Sequence, residues 1–164
     1  MANLECKFDK IYNDNYPKVI RLCLGYVNGD DMLAKDLAQE VFIKVWENLE
    51  SFRNESSLST WIYRITVNTC LTSIRGKRSV NISNNLHNLE SEGDSESLID
   101  EKELKLNQLY NCINSLNKDN KSIILLELEG LPQKDIAEIM GLSHEAIRVR
   151  VHRIKNELTK CVKK

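Results

Sequence analysis

Cationic, hydroxyl and imidazole side chains recur at helical spacing between Ser143 and Lys155. Such groups can bind phosphates and the edges of bases. At about 100° per residue, the apolar side chains of this segment share one face and should pack inward. These inward positions are Ile147, Val151, Ile154 and Leu158. The opposite face should enter the major groove of duplex DNA, with flanking cations on phosphates. The candidate contacts are Ser143, His144, Glu145, Arg148, Val149, Arg150, His152, Arg153 and Lys155.

The residues before this helix are typical of a helix-turn-helix. Pro132 suits the first turn of the first helix, and Ala137 is small where a second helix must cross closely. Gly141 permits a tight turn, Leu142 fills its corner, and Ser143 can cap the second helix. The alternative is an ordinary amphipathic hairpin with a charged outer face. For His152 the alternative is a buried or merely surface histidine.

A second group of polar side chains lies on a predicted helix from Trp61 to Arg75. Its inward positions are Tyr63, Val67, Cys70 and Ile74. Its outer face, bordered by Trp61 and Ile65, carries Arg64, Asn68, Thr72 and Arg75. This mixture suits single-stranded or distorted DNA, because bases stack on aromatic rings while cations follow the backbone. A plain core position for Trp61 is the alternative.

Helices must position these side chains, and the sequence predicts an all-α fold of two small domains. Besides the helix-turn-helix, apolar spacing predicts helices over Phe8–Tyr26, Met32–Asn48, Trp61–Arg75, Leu98–Ile113 and Lys121–Glu129. Ser59 or Thr60 should cap the third of these helices, and Gly76 should end it. The expected core of the fourth is Leu98, Leu106, Leu109, Tyr110 and Ile113. Residues 79–100 are rich in Ser, Asn and acids. This composition predicts a flexible acidic linker between domains 1–78 and 101–164.

Composition and charge restrict the class of protein. Of 164 residues, 41% are hydrophobic and 29% charged, and the net charge is −1. The charge is uneven, since residues 61–80 contain cations and no acid, and cations outnumber acids over residues 144–164. Two basic patches on an otherwise acidic chain favour nucleic-acid binding, with solvated helix faces as the alternative. The N-terminus is unlike a secretory signal and no apolar run approaches about 18 residues, so we expect a cytoplasmic location without membrane insertion.

The residues do not indicate enzyme or metal chemistry. The cysteines, which show neither C-x-x-C nor paired Cys/His spacing, are Cys6, Cys23, Cys70, Cys112 and Cys161. We therefore expect reduced, mostly buried thiols, no metal and no cofactor, with a redox-sensing thiol as the alternative. The chain has no recognisable nucleophile–base pair or phosphate-binding loop, so we do not expect an enzyme.

Two blocks of residues carry a resemblance to a known family. The first is Asp36-Leu-Ala-Gln-Glu-Val-Phe-Ile-Lys-Val-Trp46, followed by Phe52 and by Leu58-Ser-Thr-Trp-Ile-Tyr-Arg-Ile-Thr-Val-Asn68. It resembles the second conserved region of extracytoplasmic-function (ECF) sigma factors of the sigma-70 family. The helix-turn-helix and the segments just before it resemble their fourth region. The resemblance implies a subunit that binds core RNA polymerase and directs transcription initiation at specific promoters.

The resemblance also implies roles for individual residues. Residues that would contact the clamp helices of the largest polymerase subunit are Asp36, Gln39, Glu40 and Trp46. The following loop and helix would read and melt the minus-ten promoter element, and the helix-turn-helix would read the minus-thirty-five element as duplex. The minus-ten residues are Phe52, Arg53, Asn54, Ser59, Trp61, Arg64, Asn68, Thr72, Arg75, Lys77 and Arg78.

Two positions depart from the family pattern. Many relatives carry Asp at the position of Thr72 and Arg at the position of Val67, which leaves the bases read at the minus-ten element open. Proteins of this family are often held inactive by an anti-sigma factor, an expected partner besides core polymerase and promoter DNA. A stand-alone helix-turn-helix regulator is the alternative function. It explains residues 132–155 but gives the acidic helix at 36–46 no role.

Overall fold

A computed structural model of the chain describes residues 2–80 and 101–163, the side chains of 77–80 excepted. These residues form seven α-helices and no strand, so the predicted all-α class is confirmed. The helices are α1 (Ala2–Tyr26), α2 (Asp31–Asn48), α3 (Leu58–Val80), α4 (Glu101–Asn114), α5 (Lys118–Leu128), α6 (Gln133–Met140) and α7 (His144–Lys163). We refer to α1–α3 as the first helical unit and to α4–α7 as the second. No described helix is long and apolar enough to cross a membrane.

The start of α3 differs from the prediction. The Ser57 hydroxyl oxygen accepts a hydrogen bond from the Thr60 amide at 3.2 Å, so Ser57 is the cap and neither Ser59 nor Thr60 is. Asp30 caps α2, since its Oδ1 accepts from the Leu33 amide at 3.1 Å. Both caps satisfy an amide that lacks a partner in the first turn.

The prediction that Gly76 ends α3 is wrong, because the helix continues to Val80. Gly76 does not have the positive φ of a left-handed helix cap, unlike Gly141, whose φ is 69°. A glycine inside a helix costs only about 1 kcal/mol relative to alanine. The cationic residues around it are good helix formers, so the helix extends through this position.

The expected core of α4 is correct only in part. Ile113 is buried and Leu109 and Tyr110 are half-buried, whereas Leu106 is 48% exposed. The buried positions of α4 lie toward its C-terminal end. Leu98 and the predicted linker at 79–100 lie outside the part of the chain whose side chains are described.

The buried side chains of both helical units form one continuous core. Within the first unit α2 packs on α1 and α3, and within the second α7 packs on α4, α5 and α6. The units also touch each other, since α1 contacts α4 and α5 while α3 contacts α6. The helices that carry the candidate site residues are therefore held in one body.

The cysteines only partly match the expectation of reduced thiols. Cys23 and Cys70 are buried free thiols with their Sγ atoms 3.8 Å apart, and Cys6 is exposed. Cys112 and Cys161 form a disulfide between α4 and α7, so the expectation is wrong for this pair. The two residues are 49 positions apart, and only the packing of α4 on α7 brings their Cα atoms to 6.0 Å.

Candidate nucleic-acid and polymerase interfaces

The helix-turn-helix is formed by α6 and α7. Gly141 ends α6 in the left-handed conformation, and the Leu142 amide donates to the Ala137 carbonyl at 3.0 Å. The Ser143 hydroxyl oxygen accepts from the Ala146 amide at 3.1 Å and caps α7. The angular assignment of α7 is confirmed, since its four predicted inward residues are all buried.

The outer face of α7 is open to solvent. Arg148, Val149, His152 and Arg153 line one shallow recess on it. Val149 is 40% exposed, an apolar surface that can contact the methyl group of a thymine. Arg148 Nη2 lies 3.9 Å from Glu145 Oε1 in an exposed pair, which contributes little and leaves the guanidinium free to turn toward a ligand.

Cations flank this face toward α5. Arg150 and Arg153 line a cleft with the first turn of α5, which begins at Lys118. Lys155 Nζ lies 3.1 Å from Glu127 Oε1 on α5. A phosphate approaching from this side meets two guanidinium groups, whereas Lys155 must exchange its carboxylate partner for the phosphate.

The loop before α3 places two aromatic rings together. The ring centroids of Phe52 and Trp61 are 4.8 Å apart, and both residues are half-buried. They line a small recess with Arg53 and Arg64. Asn54 in the same loop is exposed and has a φ of 57°, a conformation that asparagine tolerates better than most residues. Trp61 thus packs against the unit and also borders an open recess.

The predicted outer face of α3 is only partly free. Asn68, Thr72 and Arg75 are exposed, and Thr72 Oγ1 donates to the Asn68 carbonyl at 2.8 Å within the helix. Arg64 is half-buried against α6, where its Nη2 donates to the Glu138 carbonyl at 3.0 Å. The side chains of Lys77 and Arg78 lie outside the described part of the chain.

The exposed face of α2 combines acids with large apolar side chains. Asp36, Gln39 and Glu40 are exposed as predicted, and Trp46 is 40% exposed. Its indole ring packs edge-on against Phe8 of α1, with ring centroids 5.1 Å apart. This packing holds the indole at the surface, where it can meet a partner protein.

Sequence reasoning missed two members of this face. Met32 is 79% exposed and Ile43 is 56% exposed. Together with Asp36, Gln39 and Trp46 they follow the spacing i, i+4, i+7, i+11 and i+14, which places them on one side of a helix. That spacing could have been found in the sequence, but Met32 and Ile43 read equally well as core residues.

The contact between the two helical units was also missed. Lys121 of α5 is buried, and its Nζ donates to the Tyr26 carbonyl at 3.1 Å and to Asn114 Oδ1 at 2.7 Å. Desolvation by burial lowers the pKa of Lys121. Burial raises the pKa of Tyr26, whose hydroxyl is hydrogen-bonded to Ser122 of α5. These groups lie on helices that sequence periodicity treats separately.

Ionisable side chains near this contact are also perturbed. Hydrogen bonds to the Glu129 carboxylate raise the pKa of Arg21. Burial raises the pKa of Tyr63 to about 12, and the negative charge of Glu129 acts in the same direction. The pKa of the Cys70 thiol is raised by its hydrogen bond to Cys23 and by burial, which keeps it protonated and unreactive. The described residues contain no cluster of His, Cys, Asp or Glu able to hold a metal ion.

Comparison with known proteins matches this arrangement to one family. The family model described as Sigma-70 region 2 matches residues 11–80, and the one described as Sigma-70, region 4 matches residues 106–158. The ECF RNA polymerase sigma-E factor of Haemophilus influenzae is 37% identical over 149 residues, covering 84% of this chain and 78% of that protein. The sigma-E factor of Escherichia coli K12 is 33% identical over 152 residues, covering 86% and 78%.

Solved structures show the same fold. The sigma factor RpoE of Bartonella quintana, in complex with the anti-sigma factor NepR, has a TM-score of 0.75 and 25% identity, covering 96% of this chain and 97% of that one. CnrH, in complex with the cytosolic domain of CnrY, has a TM-score of 0.73 at 17% identity, covering 97% and 89%.

The chain therefore belongs to the sigma-70 family of RNA polymerase sigma factors. Within that family it is an ECF sigma factor that contains regions 2 and 4. The family is non-enzymatic, which agrees with the sequence prediction. The matches cover both helical units, so the alternative of a stand-alone helix-turn-helix regulator is set aside. The boundaries of the predicted domains, 1–78 and 101–164, stay a prediction.

Proposed function

We propose that the three exposed faces divide the work of promoter recognition among them. The outer face of α7 reads the minus-thirty-five element as duplex. The loop at 52–57 and the outer face of α3 bind the unpaired strand of the minus-ten element. The exposed face of α2 binds the clamp helices of core RNA polymerase. Region 2 melts the minus-ten element by capturing the unpaired strand, without covalent chemistry.

The main support for this proposal is the composition of the exposed face of α2. Exposed acids at Asp36 and Glu40 stand beside the exposed side chains of Ile43 and Trp46. Large exposed apolar side chains next to several charges of the same sign are typical of a protein-binding surface rather than of a plain solvated helix. A basic, partly apolar partner helix fits this surface, with the charges speeding association and setting its orientation.

The geometry of α7 supports duplex reading. Arg148 and His152 are exposed one turn apart on the face that lies opposite the buried stripe. Side chains in this position can reach base edges when the helix enters the major groove, while Arg150 and Arg153 on the flank can bind phosphates. Phosphate contacts set the register, and base contacts supply the sequence preference.

Run-off transcription tests the proposed function. The chain is added to bacterial core polymerase on a library of randomised promoter DNA, and transcripts are sequenced. We expect enrichment of one pair of elements, and no association with core would contradict the proposal. The double charge reversal Asp36→Lys/Glu40→Lys should abolish core binding in a pull-down. The matched control Asp9→Lys/Asp14→Lys changes the same charge on exposed positions of α1 and should bind normally.

An anti-sigma factor is a proposed partner of this chain as well. The structures of RpoE with NepR and of CnrH with the cytosolic domain of CnrY resemble it over nearly its whole length. A chain that works on core polymerase and promoter DNA must act in the cytoplasm, which we propose as its location. Co-purification from the source organism under non-inducing conditions, followed by mass spectrometry, tests for the anti-sigma factor directly.

A further inference from the structure

The disulfide of Cys112 with Cys161 joins the ends of two helices of the second unit. Cys112 lies in the last turn of α4, and Cys161 lies in the last turn of α7. Beside the disulfide, Gln108 Nε2 on α4 donates to the Val162 carbonyl at 2.9 Å, which satisfies one of the unpaired carbonyls at the end of α7. One covalent bond and one hydrogen bond therefore attach the C-terminal turn of α7 to α4.

Cys161 lies on the side of α7 that packs inward. The buried stripe of this helix consists of Ile147, Val151, Ile154 and Leu158. Cys161 is half-buried and follows Leu158 by three positions, so it continues the same stripe. The disulfide can therefore form or break without touching the exposed face that is proposed to read duplex DNA.

A permanent disulfide does not fit the compartment proposed for this chain. In the cytoplasm, glutathione and thioredoxin keep most thiols reduced, and the disulfides that do form there are usually transient and either catalytic or redox-sensing. The sigma-70 family is non-enzymatic, which leaves a sensing role. A bond that forms only under oxidising conditions is consistent with both the structure and the compartment.

The other cysteines differ from this pair in their exposure. Cys23 and Cys70 remain free thiols although their Sγ atoms are 3.8 Å apart, and both residues are 0% exposed, so a dissolved oxidant does not reach them. Cys6 is an exposed free thiol. Cys161 is partly open to solvent and has Cys112 next to it. This pair therefore combines access for a small oxidant with a second thiol that can complete a disulfide.

We propose that Cys112 and Cys161 form a reversible redox site that stabilises region 4 when it is oxidised. The inference rests on the cytoplasmic location and on the role of α7 proposed above. The oxidant is a low-molecular-weight disulfide, for example glutathione disulfide.

The oxidation proceeds by two exchange steps. The Cys161 thiolate attacks one sulfur of glutathione disulfide, forms a mixed disulfide and releases one glutathione thiolate. The Cys112 thiolate then attacks the Cys161 sulfur and releases the second glutathione. The two cysteines lose two electrons and two protons, and glutathione disulfide is reduced to two molecules of glutathione. A reducing dithiol protein of the thioredoxin class reverses the reaction.

The oxidised form is the more stable because the bond restricts the unfolded chain. The two cysteines are 49 positions apart, and a cross-link over a long loop removes much conformational entropy from the unfolded state. The buried stripe of α7 does not need the bond, so the reduced chain also folds. We expect the melting temperature of the oxidised chain to be higher by about 10 °C.

The full chain, equilibrated in mixtures of reduced and oxidised glutathione, tests the redox site. Alkylation with N-ethylmaleimide after denaturation should modify three cysteines in the oxidised chain and all five in the reduced chain. Mass spectrometry of peptides should place the protected pair at Cys112 and Cys161. A bond between Cys23 and Cys70, or a single state in every mixture, would overturn the proposal.

Thermal unfolding followed by circular dichroism measures the effect on stability. Cys161→Ala should lose the difference between oxidising and reducing conditions, whereas the control Cys6→Ser should keep it. The two states of the wild-type chain can be compared without any substitution, so the test does not depend on the folding of Cys161→Ala. Equal melting temperatures of these two states would contradict the stabilising role.

Run-off transcription links the redox site to promoter use. At a temperature between the two melting temperatures, the oxidised chain should give at least about tenfold more transcript than the reduced chain. Equal transcription there, despite different melting temperatures, would overturn this link. At low temperature both forms should be active. If neither form is active at low temperature, the proposed function fails, whereas the alkylation and melting results, which need no polymerase, still decide the redox site.

Discussion

Individual side chains on α7 differ in what they can recognise. Arg148 and His152 present donors on the open face, whereas Lys155 is already paired with Glu127. Side chains that reach base edges determine sequence preference, and those that bind phosphates add affinity for any DNA. Substitutions of single side chains on α7 therefore test which residues determine promoter choice.

We expect Arg148→Ala and His152→Ala each to weaken use of the selected promoter by about tenfold, because a base contact contributes roughly 1–3 kcal/mol. Core binding should stay at the wild-type level. Lys160→Ala, further along α7, is the control for loss of an exposed side chain on the same helix. Loss of core binding in the Arg148 or His152 variants would contradict the separation of roles between α2 and α7.

Tyr63 gives a prediction for alkaline pH. Its pKa is about 12 in the folded protein, whereas the pKa of a tyrosine in an unfolded chain is about 10. The folded state therefore holds the proton more tightly, and the stability this provides is complete below pH 10 and lost as the pH rises from about 10 to about 12. Tyr63→Phe should lose about 1 kcal/mol less than wild type between pH 9 and pH 11 in urea unfolding. An equal loss of stability in Tyr63→Phe and wild type over this range would contradict the prediction.

At the scale of elements, caps and turns decide where helices begin. Ser143 both ends the turn and caps α7, so this helix starts at a defined residue. Ser57 does the same for α3, just after the loop that holds Phe52. The predicted cap of α3 was wrong by two or three residues. Ser57, Ser59 and Thr60 are all residue types that cap helices well, so residue type alone does not distinguish them.

Ser143→Ala should lower the free energy of unfolding by about 1 kcal/mol, because the amide of Ala146 loses its acceptor. Thermal or urea unfolding measures the loss. Ser143→Thr keeps a hydroxyl that can accept the same bond and should restore most of the stability. Equal stability of Ser143→Ala and wild type would show that the first turn of α7 does not depend on this cap.

At the scale of the whole molecule, the continuous core couples the two helical units. Leu125 and Tyr26 belong to the same buried cluster although they come from different units. Domains that share a buried interface unfold together, whereas weakly coupled domains unfold separately.

The wild-type chain should unfold in urea in one cooperative transition, seen alike by tryptophan fluorescence and circular dichroism. Gly25→Leu should split this into two transitions, because the leucine side chain would collide with Leu125 of α5 and disrupt the shared interface while each unit keeps its own core. In Gly25→Leu/Leu125→Ala we expect the single transition to return. Two transitions in the wild type would show that the units are independent in solution.

The amino-acid sequence by itself determined which face of each main helix is buried. The stripe Ile147 to Leu158, the turn at Gly141 and the exposed acids of α2 were all predicted correctly, because they depend on a periodicity of about 3.6 residues and on turn chemistry within a few positions. The family resemblance rests on the same local blocks. The errors have different causes. The helix α3 continues through Gly76 because its neighbours are good helix formers, whereas Leu106 fits the apolar spacing of α4 but is 48% exposed.

Only the tertiary structure decided which helices meet. The ion pair of Arg21 with Glu129 joins residues 108 positions apart, and the bond of Arg64 to Glu138 joins residues 74 apart. The disulfide of Cys112 with Cys161 depends in the same way on α4 packing against α7. No periodicity reports contacts at such separations, because they arise when separate apolar stripes are buried against each other. Burial of these stripes joins the two sigma regions through one continuous core.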